Sequence, residues 1–234
     1  MPAALVTGAA SGIGKATAER LRNDGYDVLG FDLEDGDLTT REGNARAVSM
    51  SLERFGRLDL VVANAGIQHV APVRDFPEDR WDQIIAILLT SPFLLAKYAW
   101  EALAASDRGR FIVVASAHAL VASPFKAAYV SAKHGALGLV KTLALEGGEA
   151  GITATAVCPG YVRTPLVEAQ IPDQAATHDM SEDEVLEEVI LQPHAIKRLI
   201  EPEEVAGVIA FLAGPGGAAF SGVPVTMDLG WSAR

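Results

Sequence analysis

A single doubly wound parallel α/β sheet with helices on both faces is the fold class this sequence predicts, and two observations carry the prediction. Short, near-continuously apolar runs alternate with longer stretches of helical period along the whole chain, as parallel strands covered on both faces require. The first run also passes directly into a glycine-rich turn that opens a helix, the junction where such sheets hold their ligands.

The strands read in order as AALVTG (3–8), DVLGFD (27–32), LDLVVANAG (58–66), GRFIVVAS (109–116), ITATAVCPG (152–160) and GVPVTMD (222–228). Between them GIGKATAERLRNDG, REGNARAVSMSLERFG, PEDRWDQIIAILLTSPFLLAKYAWEAL, KAAYVSAKHGALGLVKTLALEGG and PEEVAGVIAFLAG place apolar residues at helical spacing, and several end at glycine. After the fifth strand comes an excursion of about forty residues. Within it Ser181 and Glu184 have capping-box spacing, which predicts a short acidic helix. So long an insertion between core elements is expected to be a lid over a site, spanning 163–200. With no repeat, low-complexity tract or linker, the chain is expected to be one domain over 1–234.

Composition narrows the function. Half of the 234 residues are hydrophobic, 21% are charged and the formal net charge is −11. An acidic chain with scattered Lys and Arg is a poor partner for nucleic acid, and no basic amphipathic helix suggests a membrane surface. No apolar run is expected to approach the length needed to span a bilayer, and the N-terminus lacks the basic start of a signal peptide. The one cysteine, Cys158, lies in an apolar run and is expected to be buried in a reducing compartment, so the chain reads as cytoplasmic. His69 is expected at the surface. Without a His/Cys/carboxylate cluster at ligand spacing, no catalytic metal is expected.

In LVTGAASGIGKAT (5–17), Gly8, Gly12 and Gly14 let the backbone turn tightly and approach a diphosphate, which the first-turn amides of the helix then face. Asp32, at the carboxyl end of the second strand, is placed to accept hydrogen bonds from ribose hydroxyls. Its charge would repel a 2′-phosphate, and neither Leu33 nor Ser11 offers compensation, which favours NAD over NADP. Tyr129 and Lys133, four apart in YVSAK, share a helix face. Such a pair is common on surfaces that catalyse nothing.

Taken together, TGAASGIG (7–14), NAG (64–66), Ser116, YVSAK (129–133) and PGYVRTP (159–165) occur in register over essentially the whole chain. In these motifs the sequence resembles the short-chain dehydrogenase/reductase family. The resemblance implies a Rossmann-like sheet of about seven strands, a homotetramer meeting through helices near 81–105 and 127–147, and hydride transfer between a nicotinamide and an alcohol or ketone. It also implies cofactor contacts at Gly8, Ser11, Gly12, Ile13, Gly14, Asp32, Asp37, Leu38, Asn64, Ala65, Gly66, Tyr129, Lys133, Pro159, Gly160, Val162 and Thr164. Tyr129 is then the acid–base residue, Ser116 holds the substrate oxygen and Lys133 holds the nicotinamide ribose. A free phenol has a pKa of about 10. The ammonium of Lys133, with an oxidised nicotinamide, is expected to lower it toward neutrality.

Two departures from the family stand out. ILLTSPF puts Leu88 where an asparagine usually completes the proton relay, so backbone or water must serve instead. Only LEDG separates Asp32 from DLTTREG, which looks like the family's next strand end. The helix after the second strand is therefore expected to be deleted and the sheet edge reduced, with Asp37 and Leu38 reaching adenine from a shortened connection.

NAGIQHVAPVRDFP, SAHALVASPFKAAYVSAKHG, CPGYVRTPLVEAQI and GWSAR are similar to the D-3-hydroxybutyrate dehydrogenase subfamily. That similarity implies interconversion of D-3-hydroxybutyrate and acetoacetate, with a small carboxylate held by Gln68, His118, Lys126 and Gln170. Lysine and a protonated histidine could neutralise such a group while amides donate to it. Tyr161 would wall the pocket, and Trp231 would enter from the C-terminus of this or a neighbouring subunit. The alternatives are a reductase of another small alcohol, sugar or 3-oxoacyl substrate, and an NAD-binding sensor that has lost turnover.

Overall fold

The computed structural model describes residues 1–233; Arg234, the last residue of the GWSAR stretch, lies outside them. All six expected strands form: β1 (Ala3–Thr7), β2 (Asp27–Phe31), β3 (Leu60–Ala63), β4 (Arg110–Val114), β5 (Thr153–Pro159) and β6 (Pro224–Met227). They make one parallel sheet in the order β2-β1-β3-β4-β5-β6. The expected helices also form, as α1 (Gly12–Asn23), α2 (Arg41–Phe55), α3 (Glu78–Ile85), α4 (Ser91–Ala104) and α5 (Ala127–Gly147). α6 (Pro165–Glu168), α7 (Ile171–His178) and α8 (Glu182–Glu184) belong to the excursion, and α9 (Pro202–Ala213) precedes β6.

The strands' near-continuous apolar character follows from packing on both faces. Ala4 and Val6 of β1 and Leu60 and Val62 of β3 meet Leu21 of α1 and Val205, Ile209 and Leu212 of α9. One residue along, Leu5, Val61 and Phe111 meet Val48 of α2, Leu95 of α4 and Ala132 and Ala136 of α5. This period of two divides the core into two layers, and each fully buried Leu, Ile or Val contributes about 1.5–3 kcal/mol. Cys158 is buried and unbonded in β5.

Among the described residues the sheet has six strands, where the resemblance implied about seven. DLTTREG is no strand end: residues 32–40 make turns and enter α2 directly, so β2 is the edge. Thr40 caps α2 by accepting from the Gly43 N–H.

Two expectations about exposure are corrected. A continuous helix over Glu78–Ala104, with mean hydropathy 1.3, is long and apolar enough to cross a bilayer. Most of its apolar residues nevertheless pack into the protein core, with Ile84, Leu88, Leu95 and Leu103 almost wholly covered, while Trp81 and Phe93 are exposed. It is a core helix, and the packing uses its apolar surface. His69 is half-buried, not at the surface, because its ring lies edge-on against Phe76.

The excursion closes on itself. Val162 and Ile200 bridge side by side, the Arg163 N–H donating to Ile200 and the Ile200 N–H to the Tyr161 carbonyl. Between these ends Val167, Val185, Ile190 and Leu199 form a small core of their own with Tyr161, flanked by Trp231. The Ser181–Glu184 capping box starts α8 as the spacing predicted.

Candidate active site

The carboxyl ends of β1 through β5 open onto one cleft of about 260 Å³. At its floor the chain leaves β1 through Gly8 (φ +67°) and Gly12 (φ +50°), backbone angles that cost a side-chain-bearing residue about 1–2 kcal/mol. A Cβ on Gly14 would collide with the Gly8 carbonyl, so that glycine serves close packing under the turn. The Asn64 amide donates to the carbonyls of Thr7 (2.9 Å) and Gly8 (3.2 Å), tying the end of β3 to the turn. Ser11 precedes α1 in extended conformation without capping it by its side chain, so the first-turn amides are left for an anion. At one end of the cleft, Asp32 accepts from the backbone N–H groups of Ala10 and Leu33, each at 2.8 Å. Uncapped helix amides over a glycine turn, with a fixed carboxylate one strand away, are a donor set suited to a dinucleotide's diphosphate and ribose.

At the other end stand Ser116, Tyr129 and Lys133. Ala128, Ala132 and Ala136 are fully buried at spacing four, which lets α5 approach the sheet closely. Tyr129 and Lys133, each one residue further along, therefore arrive beside the end of β4. Ser116 Oγ accepts from the His118 N–H (3.1 Å) and lies 3.4 Å from His118 Nδ1. Lys133 Nζ donates to the Val114 carbonyl (2.7 Å) and lies 5.4 Å from the Tyr129 ring centroid. Burial pulls Lys133 down to about 8. Burial pushes Tyr129 up to about 12, opposed by its hydrogen bond to Ser116. The expected lowering of the phenol by the lysine is thus not a property of these residues alone.

Of the cofactor candidates, Gly8, Ser11, Gly12, Ile13, Asp32, Leu38, Asn64, Ala65, Gly66, Tyr129, Lys133, Pro159, Gly160, Val162 and Thr164 line the cleft. Gly14 lies beneath the turn. Asp37 is also outside the lining: it is exposed, and its carboxylate accepts from the N–H and hydroxyl of Thr39. Leu88 lines the cleft from a π-helical turn over Ala86–Thr90 that joins α3 to α4, and a Cβ on Gly66 would come within 3.2 Å of it.

A second, smaller cavity of about 50 Å³ shares Ser116, Tyr129, Gly160, Leu166 and Val167 with the cleft. All six substrate candidates, Gln68, His118, Lys126, Tyr161, Gln170 and Trp231, line it. Trp231 belongs to the same chain and stacks on Tyr161 at 5.4 Å and 7°. Lys126 is 3% exposed; its ammonium donates to Tyr161 Oη (2.8 Å) and Gln170 Oε1 (3.4 Å) and, among the described residues, to no carboxylate. Burial pulls its pKa down to about 8. Buried Gln68 Oε1 has no hydrogen-bond partner. His118 lies against Ser123 Oγ (3.0 Å) and is held at about 3 by burial first and Lys126 second, so it is neutral. A protonated histidine therefore does not contribute here, and the cavity's charge is that of Lys126 alone. Phe125, just before Lys126, has φ +65°, a strained angle for its type, and its ring meets His178 of α7 edge-on. Among the described residues no group of three His, Cys, Asp or Glu is placed to hold a metal.

Sequence reasoning missed His194. It is fully buried; Nε2 accepts from the Tyr161 N–H (3.3 Å) and Nδ1 donates to the Arg198 carbonyl (3.0 Å). That pins the aromatic wall to the end of the excursion, and burial pulls the imidazole below its usual range. Both partners are backbone groups, so no residue pattern announces the role. His194→Ala is expected to lower the unfolding free energy by about 3 kcal/mol, from a void and an orphaned buried N–H. Urea denaturation checks it, and a loss under about 1 kcal/mol would remove the pinning role.

Comparison with known proteins places these features in context. A family model described as enoyl-(acyl carrier protein) reductase matches residues 34–232. The chain is 43% identical to a D-beta-hydroxybutyrate dehydrogenase of Rhizobium meliloti (strain 1021), covering 99% of this chain and 98% of that one. That alignment runs over 254 positions against 234 residues here, so about twenty positions of the relative have no counterpart. An uncharacterized oxidoreductase of Bacillus subtilis (strain 168), YxjF, is 40% identical over 99% of this chain and 98% of its own. Among solved structures, the ligand-free aldohexose dehydrogenase of Thermoplasma acidophilum superposes with a TM-score of 0.91 at 27% identity, covering 100% of this chain and 94% of that one.

Proposed function

The chain belongs to the short-chain dehydrogenase/reductase family, and from that premise we propose that it is an NAD-dependent dehydrogenase interconverting D-3-hydroxybutyrate and acetoacetate. One observation carries the choice of substrate. A buried ammonium with no carboxylate partner among the described residues, Lys126, shares a cavity of about 50 Å³ with Ser116 and Tyr129. A buried cation is costly unless something neutralises it, and a short acid bearing a hydroxyl two carbons from its carboxylate would do so. The small volume disfavours long chains, and the relative from Rhizobium supports the same reading.

When bound, NAD would supply the hydride acceptor for the carbinol carbon and, reduced, the donor for the ketone. Gly8, Gly12 and Ile13 hold the diphosphate on the first turn of α1, Asp32 takes the ribose hydroxyls, and Lys133 serves the second ribose. Lys126 binds the carboxylate, with Gln68 and Gln170 donating amide hydrogens and neutral His118 a ring N–H. Ser116 turns its hydroxyl proton to the substrate oxygen and holds it against Tyr129 Oη. Tyr129 takes the proton of that oxygen during oxidation and returns it during reduction. Leu88 offers no hydrogen bond, so onward proton exchange runs by backbone and water near Lys133. Trp231 and Tyr161 shut the cavity from solvent beneath the 163–200 lid. Four copies in the cytoplasm, meeting through α4 and α5, would cover exposed Phe93 and Leu145.

The test is the near-ultraviolet absorbance of reduced cofactor when NAD⁺ is mixed with each enantiomer of 3-hydroxybutyrate. Turnover of the D form alone supports the proposal, and turnover of neither ends it. For the cofactor, Asp32→Ala is expected to shift the NAD-to-NADP ratio of kcat/KM toward NADP by about tenfold or more, roughly the 1.4 kcal/mol of one charge contact. An unchanged ratio in steady-state kinetics would remove Asp32 from that role.

A further inference from the structure

We infer that Phe125 and His178 are positioning residues for the acid: the contact of their rings clasps helix α7 to the loop that carries Lys126, so that lid and ammonium are set in place together. The inference rests on the reading of Lys126 as the carboxylate's partner, and it adds two residues that line neither cavity.

Gln170, Gln174 and His178 recur at spacing four, so they share one face of α7, with Gln170 immediately before its first turn. That face lies on the support of the substrate cavity. Gln170 Oε1 accepts from Lys126 Nζ at 3.4 Å. Gln174 is 1% exposed, and its amide faces Tyr161 short of full hydrogen-bond geometry. His178 meets the Phe125 ring edge-on, centroids 5.1 Å apart at 83°. The outer two contacts fall on consecutive residues, Phe125 and Lys126, yet about 12 Å of helix separates them. Side chains that diverge in this way grip α7 at both ends.

A phenylalanine is out of place at that turn. Its φ of +65° is strained for the type, while a glycine would take the same angle freely. Such an angle persists where the surroundings over-determine it. Here the Phe125 carbonyl accepts from the Ala71 N–H (3.0 Å), which fixes the backbone to the loop that carries Gln68, and the ring rests on His178. Ile171 and Ala175, each one residue further along α7, join the excursion's own small core. The face at Gln170, Gln174 and His178 therefore ties the helix to the substrate loop. Without the ring contact the far end of α7 is free to swing, and ordering it again draws on the binding energy of the acid.

Steady-state kinetics with NAD⁺ and D-3-hydroxybutyrate, paired with amide hydrogen exchange of the full chain, test this. Phe125→Gly keeps the backbone angle and removes the ring. It is expected to raise KM for the acid about tenfold, the upper worth of one aromatic edge contact, with kcat and the NAD⁺ dissociation constant within about twofold of wild type. Exchange over 171–178 should quicken while that of α5 stays as it was. His178→Ala should act alike, and the double variant should go no further than the larger single effect, because one contact is lost either way. His178→Phe, which leaves a ring on the ring, should retain the wild-type KM. If Phe125→Gly does not fold, His178→Ala carries the same two readouts. A KM within about twofold of wild type, or single effects that multiply in the double variant, overturns the clasp. Should the wild type turn over neither enantiomer, the substrate reading falls by itself and exchange decides the clasp: faster exchange over 171–178 supports it, and unchanged exchange overturns it.

Discussion

Replacing Tyr129 by phenylalanine is expected to lower kcat about a thousandfold in both directions, within the range removed with a positioned acid–base group, while the dissociation constant for NAD⁺ and the melting temperature stay nearly unchanged. The ring keeps its packing, and Ser116 still accepts from the His118 N–H, so the loss is confined to the phenol hydroxyl, with its transferable proton and its hydrogen bond to Ser116. The wild-type pH profile should be asymmetric. Burial holds the phenol up to about 12, with the Ser116 hydrogen bond as the opposing influence. A phenol in that state is a ready proton donor for reducing a ketone and a reluctant acceptor for oxidising an alcohol. Oxidation should therefore climb with pH, up to tenfold per unit below the working pKa, and reduction should stay flat over the same range. Stopped-flow single turnovers across pH check this. Substantial residual turnover by the phenylalanine variant would move the proton transfer elsewhere.

Lys126→Met is expected to weaken binding of the hydroxy acid about a hundredfold, the cost of losing a buried charge-assisted contact, with a smaller change in kcat. Near neutral pH it should also make the protein more stable. Burial lowers the folded-state lysine from 10.5 to about 8. Between those two values the unfolded chain binds the extra proton, so wild-type stability rises with pH through that window. Below about 8 the folded protein carries the full cost of the buried ammonium, about 3 kcal/mol. The methionine variant is relieved of it, less what the lost bond to Tyr161 returns. Affinity for the acid should run the other way in the wild type, complete below about 8 and falling as the ammonium deprotonates above it. Calorimetric melting and KM against pH check the two halves. A variant that binds the acid normally, or melts lower with no loss of binding, would make Lys126 a structural residue.

The fold was legible because its determinants are local. Apolar runs of strand length, helical stretches ending at glycine, and the Ser181–Glu184 box each announce themselves in a few residues, and the short connection after Asp32 was visible as a missing length of chain. Clustering of Gln68, His118, Lys126, Tyr161, Gln170 and Trp231 around one cavity followed from family resemblance, since nothing in their spacing brings residues 68 and 231 together. What stayed hidden depends on environment. Protonation of His118 is prevented by burial and by Lys126, neither of which shows in the letters around it. The Tyr129 phenol is governed by desolvation, which outweighs a lysine one turn away that spends a hydrogen on Val114. The long apolar helix through Leu88 has the composition of a membrane span, and only the surrounding layers identify it as core.

The bridge between Val162 and Ile200 sets the two ends of the intervening segment side by side. A segment entered and left at one point behaves like a cartridge: a longer or shorter replacement meets the same fixed ends, and each doubling of its length adds only about 0.6 kcal/mol of closure entropy. The frame beneath keeps its strands and its helix turn whichever insert is seated. A different cavity lining can thus be installed by exchanging one surface piece, with the sheet and its glycine turn left intact.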